Sequence, residues 1–419
     1  MSDNLSSKTV CVVDRGLFCD VSTILAQSFG RTLLNIEALT NSPTSAQLRV
    51  GEGLEGVEKI ASIWDHLDEI DLFVFPDLYQ GPLQQYLSDQ GYRVWGSRLG
   101  DKLELDRAFA KDLCKDVGLS VGPYQVVTGV DALRKHLKAH DDRYVKISES
   151  RGDFETFHAP NFAIAEPWLD EIARKLGVLK DSKEFIVEEP ITDCVELAYD
   201  GYSVDGQFPS HAMHGVEIKD RGYIGRFEAY ADMPSAVHDI NEALAPILKS
   251  YEYRNIFAVE CRVQGNTPYV TDFCTRFCNP PSQLATLMYT NIAEIFWHGA
   301  MGELVNPIPK GKWGAQVQLV TSLAKDQWQI VDFPSKYREN VRLSYPVKLD
   351  RRYAITPEGV AMTVVGAVVA VGDTMEDAID RVKKIAKDVQ GYAIEIGVEC
   401  FDEAQQEFDK LTALPTGAA

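Results

Sequence analysis

The first hundred residues alternate short apolar runs with helical patterns, and that alternation constrains the fold more than any other feature. Residues 10–13, 32–36, 70–75 and 93–95 read as strands, while apolar residues recur at helical spacing over 21–29, 57–67 and 83–90. Strands separated by helices pair in parallel through right-handed crossovers. An α/β fold opening on a parallel sheet is therefore expected, with ligands beyond the carboxyl ends of its strands. The Gly-rich turn of a dinucleotide fold is absent; Asp14-Arg15-Gly16-Leu17 follows the first strand instead.

Composition narrows the function. With 419 residues there is room for two to four compact units. A formal charge of −20 argues against nucleic acid as a general partner, because phosphate backbones need clustered Lys and Arg. No export or membrane segment is visible: residues 1–8 lack an apolar region, and the apolar run 359–372 is too short to span a bilayer and reads as two buried strands. Of the eight cysteines only Cys274 and Cys278 are close, and no second pair completes a zinc set. Reduced thiols and a cytoplasmic protein, monomer or homodimer, are expected.

A second pattern bears on chemistry. Residues 257–263 alternate as a strand with Glu260 on one face, and residues 269–283 begin as a strand, carry Asp272 and Arg276, then break at Pro280-Pro281. A paired hairpin would bring Glu260, Asp272 and Arg276 to one pocket. Two carboxylates beside a guanidinium suit a magnesium-bound polyphosphate. On the residues alone, a surface hairpin with solvated charges is the alternative.

This segment resembles the metal-binding strand of ATP-grasp ligases, most closely of phosphoribosylamine–glycine ligases, in which an acid, an asparagine and an arginine precede a Gly-Asp-Pro-Glu turn. Here Asp272 and Arg276 hold the acid and arginine positions, the turn reads Cys278-Asn279-Pro280-Pro281, and Cys274 stands where the asparagine would be. A thiol is a poor magnesium ligand, so the resemblance leaves the metal to Glu260 and Asp272. It further implies ATP and Mg2+ as cofactors. Arg107, eleven residues ahead of Gly118, takes the place of the first nucleotide-binding lysine, and Lys146 that of the second. The loop after Lys146, glycine-rich in the family, has only Gly152 here, so the Arg151 side chain would substitute for backbone amides, unless it is ordinary loop charge. The backbone of Glu188, Glu189 and Ile191 would read the adenine, and Glu196 would lie near the ribose.

The order of matches implies an ATP-grasp fold in three parts: an N-terminal parallel α/β domain over 1–100, a two-lobed α+β ATP-binding domain over 101–305, and a C-terminal α/β capping domain over 306–419. The family's strand–Gly-Asp-Thr–helix turn recurs at Gly372-Asp373-Thr374, with Thr374 as N-cap and Asp377 completing a capping box. The implied activity is ATP-dependent ligation of a small-molecule carboxylate to an amine through an acyl phosphate, with Lys146 and Arg276 as catalytic cations. Phosphoribosylamine–glycine ligase proper is one alternative, opposed by the missing Gly-rich loop after the first strand. A catalytically inactive ATP-grasp protein serving as a binding or structural protein is the other. His211 and His214, three apart in a strand or turn, would face opposite sides rather than share a metal. Lys219, Arg221 and Arg226 form a basic cluster in sequence that could hold an anion.

Overall fold

A computed structural model describes residues 4–37, 46–148, 156–357 and 364–416. Two compact units emerge: a larger one of Met1–Asp101, Leu197–Ala258 and Cys274–Ala419, and a smaller one of Lys102–Glu196 and Val259–Phe273.

The larger unit opens with β1 (Thr9–Asp14), α1 (Asp20–Leu25), β2 (Arg31–Ile36), β3 (Val57–Ile60), β4 (Leu72–Val74), α2 (Gly81–Asp89) and β5 (Val94–Trp95). All five strands pair in parallel in the order β3-β2-β1-β4-β5. The expected parallel sheet is there, and its order reverses between β1 and β4. One element differs. The run 57–67, expected as a helix, is the strand β3 followed by two short 3-10 turns, Ile63–Asp65 and Leu67–Glu69. Pairing with β2 satisfies its backbone, so tertiary context overrides a local helical pattern.

The smaller unit begins with α3 (Lys102–Leu105) and α4 (Arg107–Asp116), not the single helix over 103–117 that the apolar spacing suggests. Asp106 causes the break. Its backbone leaves the helical region and its carboxylate accepts from the N–H of Phe109 at 3.0 Å, capping α4. Gly118, at φ +84°, ends α4, and the N–H of Leu119 returns to the carbonyl of Cys114 at 2.7 Å. Then follow β6 (Tyr124–Thr128), α5 (Val130–Ala139), β7 (Arg143–Ile147), β8 (Thr156–Ala159), α6 (Phe162–Leu176) and β9 (Glu184–Glu188). The four strands form an antiparallel sheet, β6-β9-β7-β8. Val145, Ile147, Phe185 and Val187 on one face pack with Leu133 and Leu137 of α5 and Leu169 and Ile172 of α6.

The chain continues through β10 (Val195–Val204), β11 (His211–Ile218), β12 (Gly222–Ala229), α7 (Ser235–Ser250), β13 (Arg254–Gln264) and β14 (Thr267–Cys274). Most of β14 and the second half of β13 return to the smaller unit as a hairpin. The rest of the larger unit comprises α8 (Ser282–Met288), α9 (Ile292–Gly299), β15 (Trp313–Val320), β16 (Gln329–Asp332), β17 (Val341–Leu343), β18 (Pro346–Leu349), β19 (Arg352–Ile355), β20 (Val364–Gly372), α10 (Met375–Ala386), β21 (Gln390–Gly391) and α11 (Cys400–Leu411). There β13 continues the sheet β13-β10-β11-β12-β15-β20-β17, while β18-β19-β16-β21 form a separate four-stranded sheet. The first of the two strands expected over 359–372 falls largely outside the described residues; the second lies in β20. Thr374 caps α10 as expected, its hydroxyl accepting from the N–H of Asp377 at 3.1 Å. No helix among the described residues is long and apolar enough to cross a membrane.

Candidate functional site

Helix α4 buries Arg107, Ala110, Lys111 and Cys114, a stripe at i, i+3, i+4 and i+7 that is ordinarily apolar. Here it carries two cations one turn apart. Like charges at that spacing repel and their burial costs solvation, so the stripe holds only where acids meet it. Strand parity supplies one of those acids. Because Val145, Ile147, Phe185 and Val187 face the apolar core, Lys146 on β7 and Glu188 on β9 share the opposite face. Tyr144 lies directly across from Glu188 and Ile186 across from Lys146, which makes Lys146 and Glu188 diagonal neighbours. The second acid, Asp272, arrives on β14.

These five side chains form one ion cluster within the smaller unit. Lys146 Nζ lies 2.9 Å from Glu188 Oε2 and 2.5 Å from Asp272 Oδ2. Lys111 Nζ contacts Glu188 Oε1, and Arg107 Nη1 contacts Asp272 Oδ1. The backbone of β14 adds acceptors: Lys111 donates to the carbonyls of Val270 (3.2 Å) and Thr271 (3.1 Å), and Lys146 to that of Thr271 (3.0 Å). Arg107, Lys111 and Lys146 are each about 5% exposed, and a small cavity bordered by Leu103, Glu104 and Phe273 opens beside them.

Electrostatics follow from that geometry. Burial works against the Lys146 charge, but Asp272 and Glu188 outweigh it and raise its pKa. Lys111 goes the other way: burial and the neighbouring Lys146 lower its pKa despite Glu188. The divergence is physical, since Lys146 contacts two carboxylates and Lys111 one. Burial disfavours ionised Asp272, yet Lys146, Arg107 and Lys111 hold it well below the usual carboxylate range. Glu188 is likewise lowered, against burial, by Lys146 and then Lys111.

Arg107, Lys146, Glu188 and Asp272, expected from sequence, thus come together. Glu188 does so by a different group than expected. It sits on an interior strand between Tyr124 and Tyr144, where its amide and carbonyl belong to the ladder, and its carboxylate faces the cations. Glu189 is exposed, its N–H donating to the carbonyl of Pro123 at 3.0 Å and its carboxylate 3.3 Å from Arg143. Ile191 is half-buried against Gly122, and Glu196 is exposed, 3.4 Å from Arg262. Glu260 is half-buried on β13, and its carbonyl accepts from the hydroxyl of Thr271 at 3.1 Å. Among the described residues no group of three or more His, Cys, Asp or Glu is placed to hold a metal ion. Arg151 lies outside the described residues. Lys111 escaped the sequence reading, although its i+4 spacing from Arg107 on one buried stripe was a usable signal.

The remaining candidates belong to the larger unit. Arg276 donates to the carbonyl of Phe277 at 2.9 Å, and the thiols of Cys274 and Cys278 lie 3.7 and 3.6 Å from its own carbonyl. His211 is exposed and stacks on Phe227, whereas His214 is fully buried with Nε2 2.7 Å from Glu228, so the two do not converge. Arg221 and Arg226 pair with separate acids, Glu403 and Glu228.

No family model matches the chain. It is similar to the phosphoribosylamine–glycine ligase of Nostoc sp. strain PCC 7120, 24% identical over 262 residues that cover 57% of this chain. The match spans 61% of the length of that relative. Among solved structures, the phosphoribosylamine–glycine ligase of Thermotoga maritima superposes with a TM-score of 0.65 at 15% identity, covering 92% of this chain and 98% of that one. The biotin carboxylase domain of the 2-oxoglutarate carboxylase of Hydrogenobacter thermophilus, solved with MgADP and bicarbonate, gives 0.66 at 12% identity over 98% and 96%. These neighbours are ATP-grasp proteins, and the chain has the ATP-grasp fold.

Proposed function

We propose that this chain is an ATP-dependent carboxylate–amine ligase. The observation that carries the reading is the buried cluster of Arg107, Lys111 and Lys146 against Glu188 and Asp272. Three donor-only cations on two elements are an expensive arrangement for stability alone and a suitable one for a polyphosphate. The three-domain division at about 100 and 305 goes with this reading.

The donor set also fits magnesium, which takes one or two carboxylates together with substrate phosphates. Glu260 and Asp272 would hold it, and when bound it would neutralise charge on the β- and γ-phosphates. Lys146 and Arg107 would exchange their contacts with Asp272 for phosphate oxygens, freeing that carboxylate. Glu188 would keep Lys111 and Lys146 charged and aimed. Glu189 and Ile191 are assigned to the adenine edge, Glu196 to the ribose and Arg151 to the phosphates. Arg276 is assigned to the charge that develops on the transferring phosphoryl group. An oxygen of the substrate carboxylate attacks the γ-phosphorus and ADP leaves; an amine then attacks the acyl phosphate, giving the amide, phosphate and a released proton.

The test is ADP release across a panel of carboxylic acids and amines with magnesium, including glycine with phosphoribosylamine. Turnover that requires one acid–amine pair supports the reading, and that pair names the substrates. Absence of ATP binding in the folded protein overturns it in favour of a non-catalytic scaffold.

A further inference from the structure

The larger unit contains a cleft of about 430 Å3, bordered by α1, the end of α8, the start of α9, and the segment carrying Arg338 and Arg342. That volume lies within the range of small-molecule sites. Arg342 is 5% exposed, and its guanidinium makes no hydrogen bond among the described residues; the nearest carboxylate oxygen, Asp20 Oδ2, is 3.7 Å from Nε. Buried guanidinium groups are ordinarily saturated with acceptors, so a buried fork lining an open cleft is short of a ligand.

The second arginine points the same way. Arg338 donates to the carbonyl of Val341 (3.1 Å) and the hydroxyl of Thr23 (3.4 Å), its Nε is buried without an acceptor, and no carboxylate pairs with it among the described residues. The acids at the rim are engaged by lysines, Glu339 by Lys310 at 3.2 Å and Glu55 by Lys348. Asp20 is shared electrostatically by Arg342 and Arg338, and Arg338 also lies over the Tyr353 ring at 5.2 Å. Leu287 and Ile292 give the cleft an apolar wall.

We infer that this cleft binds a small-molecule oxyanion, a phosphate monoester or a carboxylate, between the guanidinium groups of Arg338 and Arg342. None of the residues assigned to nucleotide takes part, and the site does not depend on the ligase reading.

Calorimetric titration of the full chain with orthophosphate and, separately, with succinate at fixed ionic strength tests it. Saturable binding of either oxyanion is expected, and whichever binds identifies the head group. Arg338→Gln and Arg342→Lys should each weaken it at least tenfold; the latter keeps a cation above Asp20 and so preserves folding, checked by circular dichroism. Lys146→Ala, which alters only the other cluster, should leave it unchanged. Failure of both oxyanions to bind, binding that survives both arginine variants, or binding abolished by Lys146→Ala overturns the inference.

Discussion

Lys111 and Lys146 divide one carboxylate between them, Glu188 offering Oε1 to the first and Oε2 to the second. A helix residue and a strand residue are thereby tied through a third element, β9. Glu188→Gln takes the contacting carboxylate from Lys111 and leaves Lys146 with Asp272 alone. Breaking a buried ion pair from one side costs about 3–5 kcal/mol, so the urea midpoint should fall clearly, and more than after the exposed change Glu189→Gln.

Lys146→Ala should weaken ATP binding by about 1.5–3 kcal/mol, the worth of a hydrogen bond to a charged group. Titration calorimetry on the folded variant measures it, and unchanged affinity would remove this lysine from the phosphate site.

Asp272→Asn removes the acid facing Arg107 and Lys146. The ligand-free variant should melt lower than wild type, and ADP should recover part of the loss, since phosphate oxygens supply the missing negative charge. Glu260→Gln removes the other carboxylate assigned to the metal. Both variants should need more magnesium for turnover; wild-type rates throughout a magnesium titration would place the metal elsewhere.

Acid sensitivity has a definite sign. Asp272 and Glu188 titrate below their ordinary values in the folded state, so their contribution is present above the unfolded pKa values, about 4, and is lost as pH falls through the folded ones. Asp14 behaves oppositely. Burial, then the neighbouring Asp77, lifts its carboxyl to about 7, so stability declines as pH rises from about 4 and levels off once Asp14 is ionised in both states. Asp14→Asn can still accept from Gly16 and Phe18. It should exceed wild type in stability at pH 8 by about 1–3 kcal/mol, with the gap closing toward pH 4 in urea titrations.

Cys274→Asn puts an amide oxygen in place of the thiol. In a working enzyme turnover should hold or rise, because an amide oxygen suits magnesium better than sulfur. Lost turnover at an unchanged melting temperature would instead assign the thiol to the substrate side.

Where pattern and burial coincide, the sequence was readable: the parallel sheet, the hairpin strands and the cap at Thr374. Two elements were misjudged for local reasons. Residues 57–60 pair with β2, a partner that no window around them contains, and Asp106 bonds to its own backbone and splits one expected helix in two. Lys146 was legible through the family resemblance, and Asp272 through its place near the end of an alternating strand. Lys111 was not, because a lysine on a helix is ordinarily solvated and only the tertiary fold reveals that its face is buried. Glu188 was expected to act through its backbone, and the partners of its carboxylate come from a helix more than seventy residues earlier and a strand about forty residues earlier.

The smaller unit is written in two passages of the chain, Lys102–Glu196 and then Val259–Phe273, with Leu197–Ala258 assigned to the other unit. On the ribosome, Arg107, Lys111, Lys146 and Glu188 all belong to the first passage, while Asp272 follows only after that intervening stretch. At about 5–20 residues per second, the nascent unit waits several seconds with its cations outnumbering the partners in hand. Docking of the late hairpin is thus the event that completes both the charge balance of the cluster and the fold around it, and a fragment ending at Glu196 would never reach it.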